Sequence, residues 1–435
     1  MSNSINAPYY KTVYELMCEG DSKIDPKLLS TGQLIYSSPA TLSFNSPGAT
    51  GFGVKRAALA VPGSVELLVA PGCCGRNTKL LSQVKGYEDR FFFLMMDESD
   101  IVNGRHLSKI NQAIEEILDF LEEKPSVIMI CSTCVDALLG TDWDRVCRKA
   151  EKACGVNVRA AYMYALTREG RKPPMVLVRK SVYSLLKPSK RDNKTVNLMG
   201  YFTPLIDDCE LYEILRSLGV RTINEISRCN SFDEYLKMSE ANFNLVLDEE
   251  ARYAAQDLQN RLKMPFMEIK RLYQVDKIHS QYMAMGSALG SEIDDSSYKE
   301  EVESIINRIT KEYGNITVNV GHMLNANPFE LSLALIKYGI KVKEIYVNIT
   351  KADYAYIKYI AKLSPQTKVF TNLSPTMLYY DVSDENIDIT IGMDAGYYNN
   401  KAANIAWNDA KIPFGYAGVK KLMLQIEETL RKERG

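Results

Sequence analysis

The sequence predicts an α/β protein with parallel sheets, arranged as three units in series. Three observations point there. Short β-rich runs alternate with helical periods along the whole chain. Two of the apolar runs, residues 65–70 and 126–130, end directly in cysteine-bearing turns, at the carboxyl ends of strands where open α/β sheets place their chemistry. Two polar stretches of low hydrophobicity, residues 187–194 and 290–297, read as linkers and divide the chain into units at 1–187, 195–290 and 298–435.

In order, the β-rich runs predict strands at 66–70, 90–95, 127–131, 175–178, 196–200, 243–247, 317–320, 344–347, 368–371 and 387–391. Helices fall between them, and apolar residues at i, i+3, i+4 and i+7 mark residues 110–118 and 210–218 as the clearest. The second of these ends at Gly219, a residue suited to a helix C-terminus. Residues 141–155 and 298–313 complete the amphipathic set.

A chain of 435 residues exceeds what one core needs, so two or three domains are expected. The formal net charge of -1 does not suggest a nucleic-acid or anionic-membrane partner. No apolar run reaches the roughly 20 residues that span a bilayer, and Met1-Ser-Asn-Ser does not open a signal peptide, so a cytoplasmic protein is expected.

The nine cysteines are at 18, 73, 74, 131, 134, 147, 154, 209 and 229. In a large chain without a secretion signal, clustered thiols read as metal ligands or redox groups rather than disulfides. Cys73 and Cys74, and Cys131 and Cys134, sit in turns after strands. Two such turns on neighbouring strands would converge on one soft metal centre. Cys131-Ser-Thr-Cys134 also has the spacing of a thioredoxin-like pair, with Cys134 at a helix N-terminus where the dipole lowers a thiol pKa. The other five thiols read as small packed side chains.

Familiar nucleotide and hydrolase signatures are missing. There is no Gly-x-x-x-x-Gly-Lys-Ser/Thr phosphate loop, and Gly48-Ala-Thr-Gly51-Phe-Gly53 departs from Gly-x-Gly-x-x-Gly. Neither His-Glu-x-x-His nor Gly-x-Ser-x-Gly occurs, and three histidines, His106, His279 and His322, leave little for a histidine-rich metal site.

The run Pro-Gly-Cys73-Cys74, then Asp97-Glu-Ser-Asp-Ile-Val-Asn-Gly104, then Ile130-Cys-Ser-Thr-Cys134-Val-Asp-Ala-Leu-Leu-Gly140-Thr-Asp142, resembles the nitrogenase component 1 family in order and spacing. Weaker echoes at Asn197-Leu-Met-Gly200, Leu262-Lys-Met-Pro-Phe266, Gly392 and Ile412-Pro-Phe414 extend the resemblance over nearly the whole chain. It implies three Rossmann-like domains and a subunit that forms a homodimer or pairs with a sister subunit in a heterodimer. It also implies an iron–sulfur cluster at that interface and an ATP-dependent iron-protein reductase that docks there to supply low-potential electrons. The oxygen sensitivity of such a cluster implies an anaerobic setting.

Departures from the family pattern narrow the reading. The family's first cluster cysteine would fall near Ser46-Pro47-Gly48, and none is there, so an eight-iron P-cluster is not expected. Cys134 with either Cys73 or Cys74, taken from two subunits, gives the four thiolates of a [4Fe–4S] cluster; Cys131 is the lesser candidate. Asp248 stands where the molybdenum–iron subunit carries a cofactor cysteine, and no histidine follows His322, so dinitrogen reduction on that cofactor is not expected. Any second cofactor is left open.

Around the cysteines, Gly72 and Gly75 would let backbone approach the cluster and donate N–H bonds to its sulfides, or simply form a tight turn. Asp136, Thr141 and Asp142 either cap a helix or stand near the docking reductase. Arg76, Lys79 and Tyr87 either screen a negative cluster or form a solvated face. His322, in a βα turn, is the one candidate proton donor, with a structural histidine as the plainer reading. The resemblance thus implies an oxidoreductase component passing electrons through the interfacial cluster to a substrate in the interdomain cleft. Three rivals remain: reduction of a tetrapyrrole-like substrate, a non-catalytic scaffold or carrier for a metallocluster, and a regulatory protein without a cluster.

Overall fold

The computed structural model describes residues 7–28, 40, 57–72, 89–163, 172–372, 374–380 and 386–434. The chain begins β1 (Tyr10–Thr12), α1 (Val13–Glu19), β2 (Ser64–Pro71), β3 (Phe91–Met96), α2 (Glu98–Val102), α3 (Arg105–Phe120), β4 (Val127–Ser132), α4 (Cys134–Leu139), α5 (Trp143–Cys154) and β5 (Asn157–Tyr162). It continues α6 (Pro174–Tyr183), β6 (Asp192–Met199), α7 (Glu210–Ser217), β7 (Thr222–Glu225), α8 (Phe232–Leu236), β8 (Ala241–Val246), α9 (Arg252–Leu262), β9 (Phe266–Glu268), α10 (Val275–Leu289) and α11 (Ser296–Tyr313). It ends β10 (Thr317–Val320), α12 (Pro328–Lys337), β11 (Lys341–Tyr346), α13 (Tyr354–Leu363), β12 (Lys368–Phe370), β13 (Ile389–Ile391), α14 (Met393–Tyr398), β14 (Ala403–Ile405) and α15 (Gly415–Arg434).

Two compact units are present. The unit of Pro47–Pro204 and Gly219–Lys270 holds two four-stranded parallel sheets, ordered β3-β2-β4-β5 and β7-β6-β8-β9. Strands buried on both faces need apolar residues on both, and β2 and β4 supply them. Val65, Leu67 and Val69, with Ile128 and Ile130, pack on Ile110, Ile114 and Ile117 of α3 and Trp143, Cys147 and Ala150 of α5. Leu68 and Ala70, with Val127, Met129 and Cys131, face the other way onto Val178, Val182 and Tyr183 of α6. Alternate residues thus serve alternate faces, as the pleat dictates. The second of these cores continues through Met199 and Val246 to Ala254 and Leu258 of α9, so α6 is packed among apolar side chains of both sheets.

That placement corrects one expectation. Residues 175–178, expected as a strand, form part of α6. Apolar residues on several sides of a short helix erase the helical period, and a brief apolar run then reads equally as a strand. The Pro173-Pro174 start is the surviving helix signal, since proline suits the first turn.

The unit of Met1–Ser46, Leu205–Leu218 and Arg271–Gly435 holds a six-stranded sheet, β1-β12-β11-β10-β13-β14, parallel apart from β1, which pairs antiparallel with β12. A buried carboxylate, Glu210, caps the start of α15: it accepts from the N–H groups of Tyr416 (2.6 Å) and Ala417 (3.0 Å) and from Tyr282 Oη (2.7 Å).

Each sheet has one point where the strand order reverses, and crevices form there at the carboxyl edge. These points lie between β2 and β4, between β6 and β8, and between β10 and β13. At the second, Gly200 has φ +141° and lies so close to Asp248 that a Cβ would stand 2.8 Å from its backbone nitrogen. Gly200→Ala is therefore expected to destabilise the protein by about 2 kcal/mol or more. Chemical denaturation checks this, and a loss below about 0.5 kcal/mol, the size of an ordinary surface change, would contradict it.

Candidate functional site

The first switch point lies between β2 and β4, the strands that precede the two cysteine-bearing segments in the sequence. β2 and β4 are hydrogen-bonded parallel neighbours, in register at Leu68 with Cys131 and Val69 with Ser132. From β2 the chain turns to one side, toward β3, and from β4 to the other, toward β5. β2 and β4 therefore end at the same edge of the sheet, at a switch point of the kind where open α/β sheets form a crevice.

Gly72 follows β2 directly and is exposed, with Met95 Sδ 3.8 Å from where its Cβ would be. Cys73, Cys74, Gly75, Arg76, Lys79 and Tyr87 lie outside the described residues. The two remaining candidate thiols differ sharply. Cys131 is within β4, 0% exposed, its side chain in the apolar core beside Leu68 and Met129. Cys134 is the first residue of α4 and partly exposed. A strand that turns directly into a helix produces this contrast: one residue closes the strand inside the core, and three residues later the chain has reached the rim. Cys147, further along on α5, is buried, and burial pushes its thiol pKa up to about 12. Among the described residues no three His, Cys, Asp or Glu side chains come together as a metal-ligand set.

The surroundings of Cys134 are strongly polar and deeply buried. Asp136, in the first turn of α4, is 1% exposed, and burial pushes its carboxyl above the usual range. His106 at the start of α3 is 3% exposed and brings Nε2 to 3.6 Å from Asp136 Oδ1. His106 Nδ1 lies 3.3 Å from the Asp100 carbonyl oxygen. Asp100 in turn accepts from Lys109 Nζ (2.6 Å), a charged hydrogen bond that holds its carboxyl below the usual range. Sequence inspection missed His106, which lies thirty residues from Asp136 and signals nothing by spacing. Of the residues read as helix caps, Asp142 does cap α5, accepting from the Arg145 N–H at 3.0 Å, whereas the Asp136 carboxylate is turned inward and Thr141 Oγ1 lies 3.5 Å from Asp136 Oδ1.

His322 sits at a different switch point. It follows β10, is exposed, and its N–H donates to Asp394 (2.8 Å), as does that of Met323 (3.0 Å). Asn372 Nδ2 donates to the same carboxylate. Asp394 is fully buried, and a Cβ at Gly321 would stand 2.0 Å from its Oδ1. The arrangement fixes the backbone that carries His322.

Residues 50–431 match the family described as nitrogenase component 1 type oxidoreductase. Among curated relatives, the chain is 23% identical, across 98% of its own length and 89% of the relative's, to the nitrogenase iron-molybdenum cofactor biosynthesis protein NifE of Sinorhizobium fredii. It is 22% identical to the protein of the same name from Clostridium pasteurianum, over 74% of this chain and 72% of that one. A solved structure titled "Nitrogenase Cp1 at pH 6.5" shares the fold with a TM-score of 0.67 at 16% identity, covering 92% of this chain and 93% of the other. No helix among the described residues is long and apolar enough to cross a membrane.

The two strand-end thiols should separate chemically. In folded, metal-free protein, Cys134 is expected to alkylate with iodoacetamide, while Cys131 and Cys147 react only after unfolding. Peptide mass mapping reads this directly, and equal protection of Cys134 and Cys131 would contradict the assignment.

Proposed function

Because the chain belongs to the nitrogenase component 1 type oxidoreductase family, we propose that it is a scaffold or carrier on which a metal–sulfur cluster is assembled and from which it passes to a client protein. The observation that carries this reading is the likeness, over 98% of the chain, to a protein named for cofactor biosynthesis. The cluster is then cargo, and the ligand set has to hold it without enclosing it.

The donors fit a metal–sulfur group. Cys134 stands partly exposed at the rim of the first switch point, and β2, the strand paired with β4, ends at Pro71, two residues before Cys73 in the sequence. We assign Cys134 and one of Cys73 and Cys74 as ligands and give Cys131 a packing role. Two such pairs, one from this chain and one from a second copy or a sister subunit, supply the four thiolates of a [4Fe–4S] cluster. Gly72 and Gly75 keep the backbone close to the sulfides, where N–H groups stabilise negative charge.

The electron-transfer reading uses the same thiolates but keeps the cluster in place. It adds an ATP-dependent iron-protein reductase as partner and a substrate, with His322 as proton donor. The family description as an oxidoreductase favours it, while the named function of the relatives favours the scaffold. The readings separate on whether iron leaves. Protein loaded anaerobically with iron and sulfide is expected to lose that iron to a co-incubated apo-client, and Cys134→Ala protein to load less than a tenth as much. Iron retained through incubation, together with turnover of a reducible substrate when a reductase is supplied, would overturn the scaffold reading.

A further inference from the structure

We propose that the cavity behind the first turn of α4 binds a small organic cation through an ammonium group. The cavity measures about 250 Å³ and is lined by Ser132, Asp136, Ala137, Gly140, Thr141, Trp143 and Tyr162. Its floor is buried: Ser132 and Asp136 are each 1% exposed and Trp143 4%. Its rim, at Ala137, Gly140 and Thr141, is open to solvent.

The charge at the floor asks for a partner. Asp136 Oδ1 faces His106 and Thr141, but Oδ2 is buried and has no hydrogen-bond partner among the described residues. Thr133 Oγ1, one residue beyond the cavity wall, is buried and unpartnered in the same sense. Buried carboxylate oxygens in folded proteins almost always accept a hydrogen bond, and leaving one without a donor is strongly unfavourable. The void exceeds what one water molecule needs, so it has room for a group of several heavy atoms.

The chemistry of the walls selects the class. A negative carboxylate rejects anions. Trp143 and Tyr162 both line the cavity, and aromatic rings attract a cation that comes over their faces. A divalent metal needs several oxygen or nitrogen ligands, and here one carboxylate stands with hydroxyls and no second acidic or histidine side chain in the wall. An ammonium head donating N–H to Asp136 Oδ2, with a short carbon chain against the rings, satisfies the buried carboxylate oxygen. Among the described residues no thiol lines the cavity.

The test uses the full-length, metal-free protein and its tryptophan fluorescence, because Trp143 is one of only two tryptophans and forms part of the wall. Ethylammonium chloride is titrated in, with sodium chloride and potassium chloride at matched ionic strength as separate arms. A saturable change with ethylammonium alone is expected, weakened at least tenfold in Asp136→Asn. Ala137→Leu, which fills the cavity and keeps the carboxylate, is expected to abolish the change and decides the matter if Asp136→Asn does not fold. The absence of a saturable change, an equal one with sodium or potassium, or one that persists in Ala137→Leu would overturn the proposal.

Discussion

The parallel pairing of β2 with β4 is the constraint on which the candidate site depends. In the observed register Cys131 stands beside Leu68 and Ser132 beside Val69. A slip of one residue would turn every side chain of a strand to the opposite face. Both strands are buried along nearly their whole length, so such a slip would drive the α3-facing set toward α6 and dismantle two cores at once. The apolar packing therefore fixes where each strand ends, and with it the edge from which the cysteine turns depart.

The same geometry recurs, with different polar hardware, at the other two switch points. Parallel strands that stop side by side leave backbone groups at their carboxyl ends that must be satisfied. Between β6 and β8, the buried Arg179 donates from Nε to the Gly200 carbonyl oxygen (2.8 Å) and from Nη1 to that of Met175 (3.0 Å), and it pairs with Glu250. Between β10 and β13, Asp394 gathers the N–H groups of His322 and Met323. At the first, Asp136 and His106 lie together beneath the start of the cysteine helix. A charged residue fixes the loop in two of these cases. In the third it lines a cavity.

Much of this was legible in the chain. The runs at 66–70 and 127–131 fall inside β2 and β4, and the reading of Cys134 at a helix start agrees with α4. The runs at 317–320 and 344–347 coincide with or overlap β10 and β11. What escaped has identifiable physical causes. The strands β1, β7, β9 and β14 are three or four residues long and largely half-exposed, too short for any period to register. Residues 290–297 look like a polar linker, yet Asp295 within them is buried and accepts from Tyr416 Oη (2.6 Å) and pairs with His279. Its partners lie 16 and 121 residues away in sequence, so composition could not reveal them. Cys131 already reads as the lesser candidate in the sequence, but its complete burial does not, because that depends on the residue at which a buried strand becomes a helix.

The family shares one fold between proteins that reduce substrates and proteins that assemble cofactors, so fold cannot separate the two. Both proposed readings rest on a reachable thiolate, Cys134, at the end of β4. That requirement is tested most directly by an anomalous difference map, recorded at the iron edge, of crystals of anaerobically reconstituted protein. The account predicts an iron–sulfur peak bonded to Cys134 Sγ and to one of Cys73 and Cys74. Iron bound elsewhere, or a map with Cys134 free of metal after reconstitution, would contradict it.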